Sequence, residues 1–339
     1  MSRPDLSVVL VGRNDGYGGD FAGRMQTCVK ALAAGERLTG VSVEVVVVEW
    51  NPPAGRQSLA ELLPEERPTL VRVVQVPTAF HESLENPDHL PLFEYLGKNV
   101  GVRRASGEAV LVINPDIIVF PAVLTLARWE LLGQGVYVRM DRHDFAPPVP
   151  RDLAGADVFG AALGGVFAVH HRPRPVEESG RVVPVEHDPV EASAPVSTWP
   201  TTKPKPFEVE VDGGLFVSDG YQGFEQLHTG MPGDFLLASP QTWEAARGYW
   251  ERTDTFTHLD TYFMAQLIGS GARQAYAVTP YLLLHEDHWR RSSGSADEWQ
   301  DVMSTSEAFA SGQRDLPNGP RWGFADEAFP ELTLSRWAG

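Results

Sequence analysis

Short apolar runs bounded by polar residues recur through the first 140 residues of the chain. Their unbroken hydrophobicity is typical of strands that are buried on both faces of a parallel sheet. The runs are Leu6–Val11, Val43–Val48, Leu70–Val76 and Ala109–Ile113.

Apolar residues at helical spacing lie between these runs. A first helix is predicted from Phe21 through Leu32, and Gly35 is its expected end. Two further helices are predicted over 93–104 and 121–132, the second with Pro121 in its first turn. Strands that alternate with helices predict an α/β fold, in which helices flank a mostly parallel sheet.

The middle of the chain has a different pattern, rich in proline and poor in long periodicity between Asp141 and Leu227. We expect an irregular insertion with short strands there, followed by a return to regular structure. The elements predicted after the insertion are strands over 233–237, 275–278 and 281–284 and helices over 240–249, from about 258, and over 297–310. The chain accordingly divides into 1–140, 141–230, 231–290 and 291–339.

The composition excludes several classes of protein. The chain has 45 acidic and 28 basic residues, a net charge of −17, which disfavours coating of nucleic acid. Its single cysteine, Cys28, excludes a disulfide framework and falls on the apolar face of the first predicted helix. The chain contains no run of about 18 apolar residues, so no transmembrane segment is predicted. The first apolar run is too short for a signal peptide. The expected location is the cytoplasm.

Polar clusters follow three of the predicted strands. They are Arg13-Asn14-Asp15, Glu49-Trp50-Asn51 and Asn114-Pro115-Asp116. Ligands of open α/β sheets bind outside the carboxyl ends of the strands, so three clusters at such ends predict a binding site there.

The order of these pieces resembles the GT-A-fold glycosyltransferases, most closely glycosyltransferase family 2. Members carry an Asn-x-Gly stretch, a strand leading to a DxD-type motif, and later a Gly-x-Phe strand, an acidic motif opening a helix and a histidine. The corresponding residues here are Asn99-Val100-Gly101, Asn114-Pro115-Asp116, Gly233-Asp234-Phe235, Leu259-Asp260 and His285. The resemblance covers residues 6–140 and 230–290. The DxD position holds one carboxylate, because Asn114 stands in place of the first aspartate.

The resemblance implies a role for each matching residue. Asp116 and His285 would hold Mg²⁺ or Mn²⁺ on the diphosphate, since hard cations take oxygen ligands and Mn²⁺ also accepts imidazole. Asp260 would be the general base, with Asp234 holding a sugar hydroxyl or serving as the second candidate base. The residues expected to contact the donor nucleotide are Val11, Gly12, Arg13, Glu49, Asn99 and Asn114.

The implied activity is transfer of a sugar from a nucleotide-sugar donor to a hydroxyl acceptor. A UDP-sugar is the expected donor, the acceptor is a small molecule or a glycan, and the mechanism is inverting. In the implied division of the chain, residues 1–140 hold the nucleotide and residues 231–290 form the acceptor and catalytic half. The insertion lies on the acceptor side, as a lid.

Other interpretations of the same residues stay open. Asp116 also suits a turn or helix cap, Asp260 an N-cap, and His285 a backbone hydrogen bond at a strand end. Asp234 also suits a turn after Gly233, and Glu49 a solvated strand end. The spacing His285-x-x-His288 would suit zinc if a third ligand were present. A sugar-1-phosphate nucleotidyltransferase shares the scaffold, although the Gly12-Arg13 loop lacks the lysine that such enzymes carry. A binding module that has lost its metal chemistry is the remaining alternative.

Overall fold

The computed structural model describes residues 3–178, 181–191, 194–289 and 299–335, with side chains left out for 172–178, 181–187 and Ser335. The start of the helix predicted over 297–310 and most of the join between the third and fourth predicted segments lie outside the described residues. None of the helices in the described part is long and apolar enough to cross a bilayer.

Strands and helices alternate through the first 140 residues, as predicted. The strands are β1 (Leu6–Gly12), β2 (Val43–Trp50), β3 (Leu70–Val76), β4 (Ala109–Ile113), β5 (Ile117–Val119) and β6 (Val136–Met140). The helices are α1 (Phe21–Thr39), α2 (Leu59–Leu62), α3 (Thr78–Glu82), α4 (Glu94–Arg104) and α5 (Pro121–Thr125). The continuous helix predicted over 121–132 is wrong, because α5 passes into the 3₁₀ turns Leu126–Arg128 and Glu130–Gln134.

The rest of the chain adds further strands and helices. The strands are β7 (Arg142–Phe145), β8 (Val166–Glu178), β9 (Arg181–Pro189), β10 (Glu208–Asp212), β11 (Leu215–Ser218), β12 (Phe235–Ala238), β13 (Arg273–Ala277), β14 (Leu283–Glu286) and β15 (Glu331–Ser335). The helices are α6 (Asp157–Gly164), α7 (Pro240–Ala246), α8 (Leu259–Gly269) and α9 (Trp299–Ala310).

Ten strands of the described chain form one sheet, in the order β10-β11-β13-β6-β12-β4-β1-β2-β3-β15. The neighbours β4, β1, β2 and β3 are parallel, whereas β12 runs antiparallel to both β4 and β6. Helices cover both faces: α1 buries Met25, Cys28 and Leu32 on one side, and α4 buries Leu96 and Val100 on the other. The predicted α/β class and the buried position of Cys28 are confirmed, and the sheet is mixed.

Two glycines determine how closely helices approach their neighbours. Gly101 of α4 packs on β1, where an added Cβ would lie 2.4 Å from Cγ1 of Val9. Gly35 does not end α1, contrary to the prediction. The helix continues to Thr39, with Gly40 as its left-handed cap at φ 68°. A Cβ on Gly35 would lie 2.5 Å from Cδ1 of Leu124, so this glycine allows α1 to touch α5.

The insertion is more regular than the sequence predicts. Strands β8 and β9 form a long antiparallel hairpin, which joins a second sheet in the order β5-β14-β7-β8-β9. Spaced prolines suggested only short strands, but the hairpin carries Pro175 opposite Pro184 at a paired position, where both strands lack a backbone donor. Strand β5, at the edge of the second sheet, follows β4 of the first sheet along the chain, directly after the turn that contains Asp116.

Asp141 anchors the insertion to the end of β6. Its carboxylate accepts hydrogen bonds from the Thr202 amide at 2.7 Å and from Nε2 of His228 at 2.8 Å. His171 of β8 pairs with the same carboxylate at 3.7 Å and with Asp188 of β9 at 3.0 Å. Burial alone would lower the pKa of His171, but the two carboxylates outweigh it and raise that pKa above its usual value of 6.5.

The docking of the hairpin should therefore weaken with increasing pH. A histidine with a raised folded-state pKa stabilises fully below its unfolded pKa, about 6.5, and this stabilisation is lost as pH rises through the folded value. We expect amide exchange of β8 and β9, corrected for intrinsic rates, to accelerate across that range. His171→Gln should remove this pH dependence. The same dependence in the variant would show that another group controls the hairpin.

Candidate functional site

A cleft of about 540 Å³ opens at the carboxyl ends of β1 and β4, the edge that the sequence predicted. It contains most of the predicted site residues. These are Val11, Gly12, Arg13, Asn114, Asp116, Asp234, Asp260 and His285.

The register of the second sheet brings the predicted metal ligands together. His285 pairs with Ile117 on β5, the residue after Asp116, and with Asp144 on β7. Potential ligand atoms of Asp116, His285 and His288 all lie within 4.8 Å of one another. Oδ2 of Asp116 is 2.8 Å from Nε2 of His288 and 3.8 Å from Nε2 of His285.

The chemistry of this cluster fits a divalent cation. Oδ1 of Asp116 is buried and has no hydrogen-bond partner among the described residues, so one lone-pair-bearing oxygen is left for a ligand. Burial would raise the pKa of Asp116, but His285, His288 and Arg24 hold it well below its usual range. One carboxylate and two imidazoles suit Mn²⁺ or Zn²⁺ better than Mg²⁺. The only sequence signal for the third ligand, His288, was its spacing from His285.

Asp234 also lines the cleft and is already paired. Its Oδ1 accepts a hydrogen bond of 2.8 Å from the side-chain Nδ2 of Asn114, and its Oδ2 accepts one of 2.7 Å from Nη1 of Arg142. The residue ends a 3₁₀ turn, Pro232–Asp234, before β12, so its predicted place inside a strand is wrong. A carboxylate that already accepts hydrogen bonds from a side-chain amide and from an arginine suits the binding of a hydroxyl.

Asp260 stands in the first turn of α8 and faces the cleft. In the described part of the chain it accepts hydrogen bonds from neutral donors, the Thr261 backbone amide at 2.8 Å and the Tyr95 hydroxyl. Burial and the Asp260 charge raise the pKa of Tyr95 well above its usual value, so Tyr95 stays protonated and donates. A Cβ on Gly233 would lie 3.1 Å from Oδ2 of Asp260, so a glycine here leaves that oxygen room. This geometry suits a general base.

The loop before Asp234 is held by a buried arginine that the sequence did not mark. Arg139 of β6 is fully buried and donates to the carbonyls of His228, Gly230 and Pro232, at distances of 2.8–3.3 Å. Met231, within this loop, has the left-handed φ of 43°. By binding three carbonyls of the loop, the Arg139 guanidinium stabilises this left-handed backbone and so sets the position of Asp234.

Two predicted donor contacts lie outside the cleft lining. Glu49 is buried and accepts hydrogen bonds from the Leu59 amide at 2.8 Å and from Gln75 at 3.1 Å. Asn99 is fully buried in α4, where it exchanges two hydrogen bonds of 2.8 Å with the backbone of Tyr249. The structure therefore gives both residues contacts with other parts of the fold, and their contact with a donor stays a prediction.

Asn99→Ala separates these two roles. The change leaves the buried amide of Tyr249 without its acceptor, whereas the Tyr249 carbonyl keeps a hydrogen bond from Asn318 at 2.6 Å. We expect the free energy of unfolding to fall by about 1–3 kcal/mol, measured by urea denaturation. UDP affinity of the folded protein should stay within about twofold. Lower UDP affinity with unchanged stability would return Asn99 to the donor site.

No protein-family model matches the sequence, and no curated protein matches it. Among solved structures the protein is similar to GalNAc-T7 and to S. aureus TarS. GalNAc-T7 with UDP, GalNAc and Mn²⁺ is 9% identical with a TM-score of 0.48, over 90% of this chain and 49% of that one. S. aureus TarS 1–349 with UDP-GlcNAc is 11% identical with a TM-score of 0.46, over 89% and 65%. The chain thus spans about half of GalNAc-T7 and about two thirds of this form of TarS.

Proposed function

We propose that the protein is a glycosyltransferase that moves a sugar from a UDP-sugar to a hydroxyl acceptor. One observation carries the proposal. Three potential metal ligands, Asp116, His285 and His288, converge in the same cleft as Asp260, a carboxylate with neutral hydrogen-bond donors. A cation that neutralises a leaving diphosphate and a base that takes the acceptor proton are the two groups that a metal-dependent, inverting glycosyl transfer uses.

The proposed donor position follows from the carboxyl ends of the strands. Val11, Gly12 and Arg13 follow the course of β1 into the cleft, where the nucleoside would lie. Arg13 is fixed at the rim by hydrogen bonds of 2.7 Å to the Asn51 carbonyl and 2.8 Å to Asp15. Asp116, His285 and His288 would hold a divalent cation, which would neutralise charge on the leaving diphosphate.

In the proposed reaction, an acceptor hydroxyl attacks the anomeric carbon of the donor sugar. The new oxygen–carbon bond forms as the bond to the diphosphate oxygen breaks, and Asp260 takes the hydroxyl proton. Asp234 and Asn114, hydrogen-bonded to each other, would orient the sugar through its hydroxyl groups. One-step displacement inverts the configuration at the anomeric carbon.

The proposed division of labour along the chain is consistent with the cleft. Residues 1–140 supply the nucleotide side, and 231–290 supply Asp234, Asp260 and the two histidines. The insertion lines the cleft with His171, Thr229 and Gly230, and it is proposed to bound the acceptor.

The test is a UDP-release assay with a panel of UDP-sugars, with Mn²⁺ and after chelation by EDTA. We expect Mn²⁺-dependent release that one sugar favours, and that an acceptor accelerates. Pyrophosphate formed from UTP and a sugar 1-phosphate would instead identify a nucleotidyltransferase. UDP-sugar binding without any turnover would identify a binding module.

A further inference from the structure

A buried line of polar side chains connects the metal cluster to Asp234. Nδ1 of His285 lies 3.1 Å from Oδ1 of Asp144, and Nη2 of Arg142 donates to Oδ2 of Asp144 at 3.1 Å. Nε of Arg142 lies 2.8 Å from Oδ1 of the same carboxylate, an ion-pair contact without hydrogen-bond geometry. Nη1 of the same guanidinium bonds Asp234 at 2.7 Å. Arg142, Asp144 and His285 are all buried, so these contacts are shielded from water.

The contact with Asp144 determines which nitrogen of His285 can bind a cation. An ionised carboxylate only accepts hydrogen bonds, so Nδ1 of His285 must carry the proton. Asp144 also accepts hydrogen bonds from Nη2 of Arg142 at 3.1 Å and from Nε2 of His170 at 2.9 Å, so the groups around it are donors. In the neutral imidazole the lone pair is then on Nε2, which lies 3.8 Å from Oδ2 of Asp116.

Arg142 in turn fixes Asp144. Its planar guanidinium makes two contacts with Asp144 and one with Asp234, so a rotation that loosens one carboxylate also moves the other. Arg142 and Asp144 are two residues apart on β7, and their side chains therefore share one face of that strand. Nothing in the reaction proposed above requires either group to touch the substrate.

We propose that Asp144 and Arg142 are positioning residues, which set the tautomer of His285 and thereby the affinity of the cluster for a divalent cation. This inference rests on the proposed function, because it assigns the cation to the same cleft. The cation titration needs no sugar donor, so a failed transfer assay would leave this inference testable.

Asp144→Asn is the principal test, read by titration with Mn²⁺ alone. An asparagine has the same shape, but it can offer an N–H to His285 and no charge to Arg142. We expect Mn²⁺ affinity to fall about 10–100-fold, the range for loss of such a supporting hydrogen bond. Asp188→Asn is the matched control, because it removes a carboxylate bonded to a different histidine, His171. It should keep Mn²⁺ affinity within about twofold.

Two further measurements distinguish positioning from a general structural effect. Nitrogen NMR of the metal-free protein should find His285 protonated on Nδ1, and Asp144→Asn should shift it toward the other tautomer. Arg142→Lys should weaken Mn²⁺ binding less than Asp144→Asn, and the double variant should be no weaker than Asp144→Asn alone. Arg142→Lys carries the test if Asp144→Asn does not fold. An unchanged tautomer, unchanged Mn²⁺ affinity in both variants, or additive effects would overturn the proposal.

Discussion

Asp260→Asn should lower the rate of sugar transfer by about 10²–10⁴-fold, the contribution of a well-placed general base. The amide has the same shape as the carboxylate and keeps an oxygen for the Thr261 amide, but it cannot take up the acceptor's proton. UDP binding should be nearly unchanged, because Asp260, in the first turn of α8, is not among the residues proposed to hold the nucleoside or the cation. Initial rates of transfer and UDP calorimetry measure the two effects.

The matched control is Asp254→Asn, six residues earlier. Its carboxylate is largely exposed and pairs with Arg252 outside the cleft lining, so transfer should keep its rate.

Asp234→Asn provides a second comparison. It should raise KM for the donor more than it lowers kcat, because its proposed role is to hold a sugar hydroxyl. If Asp260→Asn loses UDP affinity instead of rate, the base assignment is wrong and Asp260 belongs to the donor site.

The parts of the fold that were predictable come from local patterns. Leu6–Val11 and Val43–Val48 are continuous apolar runs, and both form buried parallel strands. The position of Asp116 at the carboxyl end of β4 follows from the same pattern, since the strand ends where the apolar run ends. Such signals depend only on residues that are neighbours along the chain, so they can be read directly from the sequence.

The rest depends on which strands become neighbours. Asp144 and His285 are 141 positions apart, and they meet only because β14 pairs with β7 in one register. Hydrophobic periodicity predicts the face of a strand but not its partner, so neither Arg142 nor Asp144 stood out as part of a site. Asn99 shows the converse: its place in a motif is evident from local sequence, whereas its hydrogen bonds to Tyr249 depend on the packing of two distant segments.

Asp116→Ala should reduce metal-dependent UDP binding by about 100-fold or more. Loss of a group that merely supports a metal ligand costs 10–100-fold, and a ligand should cost at least as much. The aspartate is the only carboxylate of the three-residue cluster, so its loss leaves two neutral or positively charged imidazoles. His285→Ala and His288→Ala should each weaken the binding as well. Calorimetry of UDP with and without Mn²⁺ measures the effect of all three changes.

Asp152→Ala is the matched control, since it removes an exposed carboxylate of the insertion and should leave the Mn²⁺ response intact. UDP affinity without Mn²⁺ should be similar in the wild type and in Asp116→Ala, because the carboxylate acts on the diphosphate only through the cation. A wild-type Mn²⁺ response in both Asp116→Ala and His285→Ala would contradict the metal site. Several carboxylates line this cleft, in a chain with a net charge of −17. When no cation is bound, removal of one carboxylate should leave the affinity for an anionic ligand unchanged or raise it. The sign of the effect on UDP binding, unfavourable with Mn²⁺ and neutral or favourable without it, therefore separates a metal ligand from an ordinary acidic neighbour.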